Sequence, residues 1–209
     1  SPSPPSFPTM RLPIHLCALT VFAASATAQE TIDFEGVPAG TILGSVFGDG
    51  GSGPIAVNGF NPDLGATNAA VVFDSSNPTG GDDDLGTPNE DFGGPGQGSA
   101  GEAGSTYENN TALGNILIVA EDLDLDGGGL VADPDDADVV GEWVEFDFSA
   151  MGTVTLVSMI FMDAEADRPT ASADMYDAGN SLIASVALPM PGNNGVADVF
   201  RHDLQTGHT

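Results

Sequence analysis

The sequence contains no lysine, and apart from histidine its only basic residues are Arg11, Arg168 and Arg201. Against these three stand 31 aspartates and glutamates, a formal net charge of −28. So few cations cannot neutralise a phosphate backbone or an anionic lipid surface, so nucleic acid and charged membranes are excluded as partners. Cys17 is the only cysteine, which rules out an intrachain disulfide and a multi-thiolate metal site. Histidine occurs only as His15, His202 and His208. A serine triad or a histidine-ligated zinc would therefore have to be built from the two ends of the chain. No segment carries a sustained helical period. The glycine-rich stretch Gly48 to Gly53 lacks the lysine and the following helix of a phosphate-cradling loop, and no dinucleotide fingerprint is present.

The first feature that is present is an export signal. Arg11 supplies a positive start, Leu12 to Ala24 an apolar run, and Ala26-Thr27-Ala28 a small-residue cleavage site before Gln29. The run is too short to span a bilayer, so no membrane insertion is expected. Met10 to Ala28 is read as a cleaved leader and the protein as secreted. Ser1 to Thr9 is expected to lie upstream of the true start at Met10 and to carry no structure. Cleavage removes Cys17 and leaves all 31 acids on the mature chain, whose self-repulsion must be relieved by salt or by bound cations.

Residues 29–199 read as one β-rich domain. Strand composition recurs at Thr31 to Glu35, Ile55 to Phe60, Ala69 to Asp74, Asn115 to Ala120, Glu142 to Phe148, Thr153 to Met162, Ala171 to Tyr176, Ser181 to Leu188 and Val196 to Phe200. Val144, Phe146 and Phe148 alternate with Trp143, Glu145 and Asp147, the pattern of a strand with one buried face. Thr153 to Met162 turns apolar on both faces toward its end, which predicts a central strand. Asp177-Ala178-Gly179-Asn180 predicts a hairpin turn. The expected fold is an all-β antiparallel sandwich, jelly-roll-like. Ser75 to Gly114, rich in Gly, Pro, Asn and acid, interrupts the regular spacing. A loop of that length is either disordered or ordered for a purpose, here by cations.

The acids cluster. Asp122, Asp124 and Asp126 precede Gly127, with Asp133 at the twelfth position counted from Asp122. That spacing suits a loop wrapping a hard cation that needs six to eight oxygens, hence calcium. The last ligand is Asp where an EF-hand has Glu, and a strand precedes the loop; the alternative is a solvated turn. Asp135, Asp136 and Asp138 follow and could complete or compete for the site. A second cluster, Asp82-Asp83-Asp84, is limited to two ligands for one ion, here Asp82 and Asp84, because neighbouring side chains diverge. In a third, Asp163, Glu165 and Asp167 would share one strand face and repel unless a cation, Arg168 or solvent relieves them. Asp33 and Glu35 form a similar pair on the first strand, with Phe34 turned inward.

Ile32 to Thr41 (IDFEGVPAGT), Asn77 to Gly96, Gly114 to Asp124 and the pattern around Tyr176 to Leu188 resemble bacterial secreted β-sandwich domains. These are similar to jelly-roll carbohydrate-binding modules in which calcium ties the first strand to the last. The resemblance makes Glu35 the first-strand ligand. The closing segment it implies is missing: residues 200–209 (FRHDLQTGHT) shift abruptly in composition, as expected of a frameshifted or truncated tail.

The functional expectation is a secreted, calcium-stabilised module that binds glycan, extracellular matrix or a cell-surface component without catalysis. The metal ligands are drawn from Asp122, Asp124, Asp126, Asp133, Glu35, Asp82, Asp84, Asp163 and Glu165. The alternatives are an extracellular polysaccharide hydrolase working through an acid pair and a structural surface component. Trp143, Tyr107 and Tyr176 are the only Trp and Tyr residues available as sugar platforms.

Overall fold

The computed structural model describes residues 9–12, 15–23, 29–152, 154–165 and 171–200. The chain runs through β1 (Thr9–Leu12), β2 (His15–Ala23), β3 (Gln29–Ile32), β4 (Ser45–Val46), β5 (Ile55–Phe60) and β6 (Ala70–Asp74). It continues through β7 (Asn115–Val119), β8 (Trp143–Asp147), β9 (Val154–Met162), β10 (Ser172–Tyr176), β11 (Leu182–Ala187) and β12 (Val196–Phe200), with three short 3₁₀ turns between strands. One sheet has the order β11-β10-β1-β8-β5-β4; the other is β12-β9-β2-β7-β6, with β3 added against β2. Every strand pairing is antiparallel.

The strands form where side chains can be sorted to two faces. In β5, Ile55 and Val57 point into the core while Ala56, Asn58 and Phe60 point out; in β8, Val144 and Phe146 are buried between less buried Trp143, Glu145 and Asp147. These residues meet Val72, Leu117, Val119, Met159 and Phe161 of the second sheet in one core. The other faces of β6 and β7 are also apolar. There Val71, Phe73, Ile116 and Ile118 form a second core, closed over by Leu85 and Val131 from loops. A sheet covered on both faces accounts for the unbroken apolar text of these two strands.

Eight of the nine expected strands appear within a residue or two of their expected bounds. The first ends early: β3 stops at Ile32, because Phe34 takes a left-handed conformation (φ 61°) that buries its ring and breaks the extended run. Asp33 and Glu35 therefore do not share a strand face, and Asp33 Oδ1 instead accepts the Glu35 amide at 3.2 Å. The Asp177–Asn180 turn is as expected, with Asn180 at φ 60° and the Asp177 carboxylate accepting the amides of Gly179 and Ser181, each at 2.9 Å. Thr9, expected to be unstructured, is the first residue of β1. The run read as a leader supplies most of β1 and all of β2, each paired on both sides inside a sheet.

The long Ser75–Gly114 loop is tied down by apolar burial and by side-chain hydrogen bonds. Leu85 plugs the second core, and three buried asparagines, Asn89, Asn109 and Asn194, cross-link the loop to the segment between β11 and β12. The sheets are joined where β5 passes under β6. Asn68 Oδ1 accepts the amides of Gly59 (2.7 Å) and Ala70 (3.0 Å), and its Nδ2 donates to the Leu43 carbonyl (2.9 Å). A Cβ at Gly59 would collide with the backbone of Ala69 and Ala70. Gly59→Ala is therefore expected to cost about 1–3 kcal/mol, measured as a lower urea midpoint at unchanged m-value. An unchanged midpoint would contradict the close approach.

Candidate metal centre

After β7 the chain makes an excursion and returns. Ala120 bridges Asp136, the Glu121 amide donates to the Asp135 carbonyl at 2.9 Å, and the Ala137 amide donates to the Val119 carbonyl at 2.7 Å. The returning segment thus lies beside the end of β7 and is pinned there by buried Ala137. The long loop comes up against it from the other side. Thr79 Oγ1 donates to the Pro134 carbonyl (2.9 Å), the Gly80 amide to Asp133 Oδ1 (3.0 Å) and the Asp136 amide to Asp82 Oδ2 (2.7 Å).

Three carboxylates converge at this junction. Asp82, Asp135 and Asp136 each offer an oxygen, all within 4.8 Å of one another, and all three are half-buried. Asp82 is the N-cap of a 3₁₀ turn yet makes no capping bond there. Burial, reinforced by the charges of Asp136 and Asp135, pushes the Asp82 carboxyl up to about 8. Burial also raises Asp135, with Glu121, Asp136 and Asp122 adding repulsion and a hydrogen bond with Asp82 opposing it. Like charges this close cannot all ionise without a proton or a cation among them. Among the described residues this is the only group of three or more acids, histidines or cysteines spaced for one ion.

The remaining expected ligands are spread over other tasks. Asp122, Asp124 and Asp126 lie exposed on a small hairpin in which Leu125 bridges Val131. Asp126 Oδ1 accepts the amides of Gly128 (2.7 Å) and Leu130 (3.0 Å), and these bonds hold its carboxyl below the usual range. Asp122 accepts the Asp124 amide at 3.0 Å. Asp133 reaches away from this hairpin to Gly80, so the twelve-residue spacing closes a turn onto itself and sends its last residue to a different loop.

Asp84 points away from Asp82. Its carboxylate accepts from Asn193 Nδ2 at 3.4 Å, while Asp83 accepts from Gln97 Nε2 at 3.3 Å, so the three contiguous acids diverge. Glu35 Oε1 accepts the Asn115 amide at 2.7 Å and ties the β3 turn to β7. Asp163 lies past the end of β9 at φ 58° and accepts the Asn194 amide at 2.7 Å. Glu165 is half-buried on the same segment, and its expected partners Asp167 and Arg168 lie outside the described residues. The pairing of Asp82 with Asp135 and Asp136 left one trace in the sequence, two adjacent acids after Pro134, but nothing there linked them to residue 82.

Of the aromatic candidates, Trp143 stacks on Phe60 at 5.4 Å between ring centroids, both half-buried on the outer face of β8 and β5. Asn58 and Glu145 are paired on the same face one step along. Tyr107 packs against the main core. No family model matches the chain, and no curated protein or solved structure is significantly similar to it.

Proposed function

We propose that the protein is a secreted, non-catalytic β-sandwich module, stabilised by calcium at Asp82, Asp135 and Asp136, that binds extracellular glycan or matrix. The observation that carries the calcium reading is the convergence of three half-buried carboxylates from segments more than fifty residues apart in sequence. Hard oxygen donors suit calcium, and three carboxylates leave room for water or carbonyl oxygens to complete six to eight ligands. An ion there would relieve the repulsion and clamp the long loop to the end of β7. The glycan reading is supported by the Phe60–Trp143 stack with Asn58 and Glu145 beside it, an apolar platform flanked by hydrogen-bonding groups.

The test is thermal unfolding in calcium, in chelator and in sodium chloride at matched ionic strength. Calcium at a hundredfold excess over its dissociation constant is expected to add about 2.7 kcal/mol, and Asp82→Asn is expected to abolish that increment. An equal rise with sodium chloride, or a full calcium response in the variant, would sink the reading. One observation favours catalysis instead: a carboxyl kept protonated near neutral pH is what a general acid requires. Reducing-sugar release by the parent and its loss in Asp82→Asn would move the assignment to a hydrolase.

A further inference from the structure

β12 is the edge strand of the second sheet, and the last part of the long loop meets it where the Val196 amide donates to the Tyr107 carbonyl at 3.0 Å. Just past that bond, residues of the 108–113 segment and of β9 and β12 border a cavity of about 180 Å³. The strand side follows from register: Val196 and Asp198 alternate onto one face of β12, and Ile160 of β9 stands opposite Asp198. The loop side is held by the protein itself. The Asn109 amide donates to the Gly101 carbonyl (3.0 Å), the Asn109 carbonyl accepts the Asn89 amide (2.8 Å), and the Leu113 amide donates to Thr87 Oγ1 (2.9 Å).

The two sides of this cavity differ in chemistry. Leu113, Ile160 and Val196 are half-buried, pack against the second core and make one side apolar. The other side is made of acceptors. Asn109 is buried and its Nδ2 donates to the Gly86 carbonyl at 2.8 Å, while its Oδ1 has no hydrogen-bond partner. Buried acceptors almost always have one, so this group calls for a donor from outside the chain. Glu108 accepts the Gly104 amide on Oε1 (2.6 Å) and Asn110 Nδ2 on Oε2 (3.3 Å), which leaves each oxygen a further lone pair. Asp198 stands exposed beside them. Two carboxylates and no basic side chain line the cavity.

We propose that this cavity binds a primary ammonium group carried on a short apolar stem. An ammonium offers three N–H donors and accepts nothing, which matches one donor each for Asn109 Oδ1, Glu108 and Asp198. A hydroxyl would leave both carboxylate charges unbalanced. The methylenes of the stem lie along Leu113, Ile160 and Val196, as the stems of long cationic side chains do on apolar surface. A cavity of this size holds roughly six heavy atoms, the scale of one that takes benzene. The chain has no lysine and a formal net charge of −28, so the ammonium comes from another molecule, as a lysine side chain of a partner or as a free amine. None of the lining residues belongs to the Asp82, Asp135 and Asp136 centre or to the Phe60–Trp143 stack, so the proposal does not depend on either.

The experiment titrates the full chain with n-butylammonium chloride, in chelator and at an ionic strength held constant with sodium chloride, and follows assigned amides by NMR. The neutral control is n-butanol. The expected result is a saturable one-to-one response at residues 108–113, 196–198 and the Asn109 side-chain amide, and none to n-butanol. Affinity should fall at least roughly tenfold in Asp198→Asn and stay unchanged in Asp63→Asn, an exposed acid between β5 and β6. Should Asp198→Asn fail to fold, Glu108→Gln takes its place with the same expected loss. A second probe, Nα-acetyl-lysine methylamide, separates the two sources: tighter binding than butylammonium points to a partner's lysine, weaker binding to a free amine, and both support the site. No saturable response to either amine, an equal response to n-butanol, or equal losses in Asp198→Asn and Asp63→Asn overturns the proposal. Shifts at these residues with calcium in place of chelator, and with neither amine, would make the cavity a second metal site and overturn it as well.

Discussion

Asn194→Ala is expected to lower the unfolding free energy by about 2–5 kcal/mol, a severe loss for one side chain. Asn194 is fully buried, and its Nδ2 donates to the carbonyls of Asp84 (2.6 Å) and Gly86 (2.8 Å). Its Oδ1 accepts from Asn89 Nδ2 at 2.7 Å. Gly86 keeps a second donor in Asn109 Nδ2 and Asn89 keeps the Gly98 carbonyl, but the Asp84 carbonyl loses its bond from Asn194. A buried polar group left so costs about 1–3 kcal/mol. The backbone adds to this, because residue 194 sits at φ 62°, where an alanine Cβ costs roughly 1–2 kcal/mol and asparagine is tolerated. Asn194→Gly isolates the side chain: it should recover the backbone part and keep the hydrogen-bond loss. Urea unfolding gives both numbers, and proteolysis of the native state should cut first within Ser75–Gly114. A loss below about 1 kcal/mol would mean that the asparagines do not hold the loop.

The second large effect is on pH. Without divalent cations, stability is expected to fall as pH rises from about 4 to about 8 and to level off above it, the reverse of an ordinary acidic protein. Asp82 stays protonated in the folded state up to about 8, whereas in the unfolded chain it ionises near 3.8. The folded state therefore holds the extra proton across that window, and stability is lost as that proton leaves. The full linkage energy of such a displacement would be about 6 kcal/mol; because Asp82 is only half-buried, solvent screening reduces it to roughly 2 kcal/mol. Raised Asp135 acts in the same direction. Lowered Asp126 acts in the opposite one, and only at pH below the usual carboxylate range, so the two windows separate. Asp82→Asn should flatten the slope between 4 and 8, and saturating calcium should do so in the parent by competing with the proton. A parent whose stability rises steadily over this range would show that the three carboxylates are not crowded.

Most strands were legible because their signal is local. Alternation in Trp143–Asp147, apolar text on both faces of Val154–Met162 and the Asp-Ala-Gly-Asn turn at Asp177–Asn180 each depend only on neighbours within a few residues. β4 was not legible, since two residues carry no period. The long loop was recognised as exceptional, yet the agents that order it, Leu85 and the three asparagines, are scattered single residues with no spacing to mark them.

The sequence by itself determined the fold class, the extreme acidity and the absence of lysine, of a second cysteine and of central histidine, since composition and short-range periodicity suffice for all of these. Which acids meet was decided by tertiary structure. Asp122, Asp124, Asp126 and Asp133 have the spacing of a calcium loop, but one oxygen each of Asp122 and Asp126 accepts backbone amides of a tight turn, and Asp133 accepts the Gly80 amide of another loop. Asp82 meets Asp135 and Asp136 because two loops are pressed together at the end of β7 by apolar burial and hydrogen bonds elsewhere. The fate of Met10–Ala28 divides in the same way. An apolar run of that length reads as a leader in the sequence, whereas pairing with β8, β10, β9, β7 and β3 as strands is visible only in the fold.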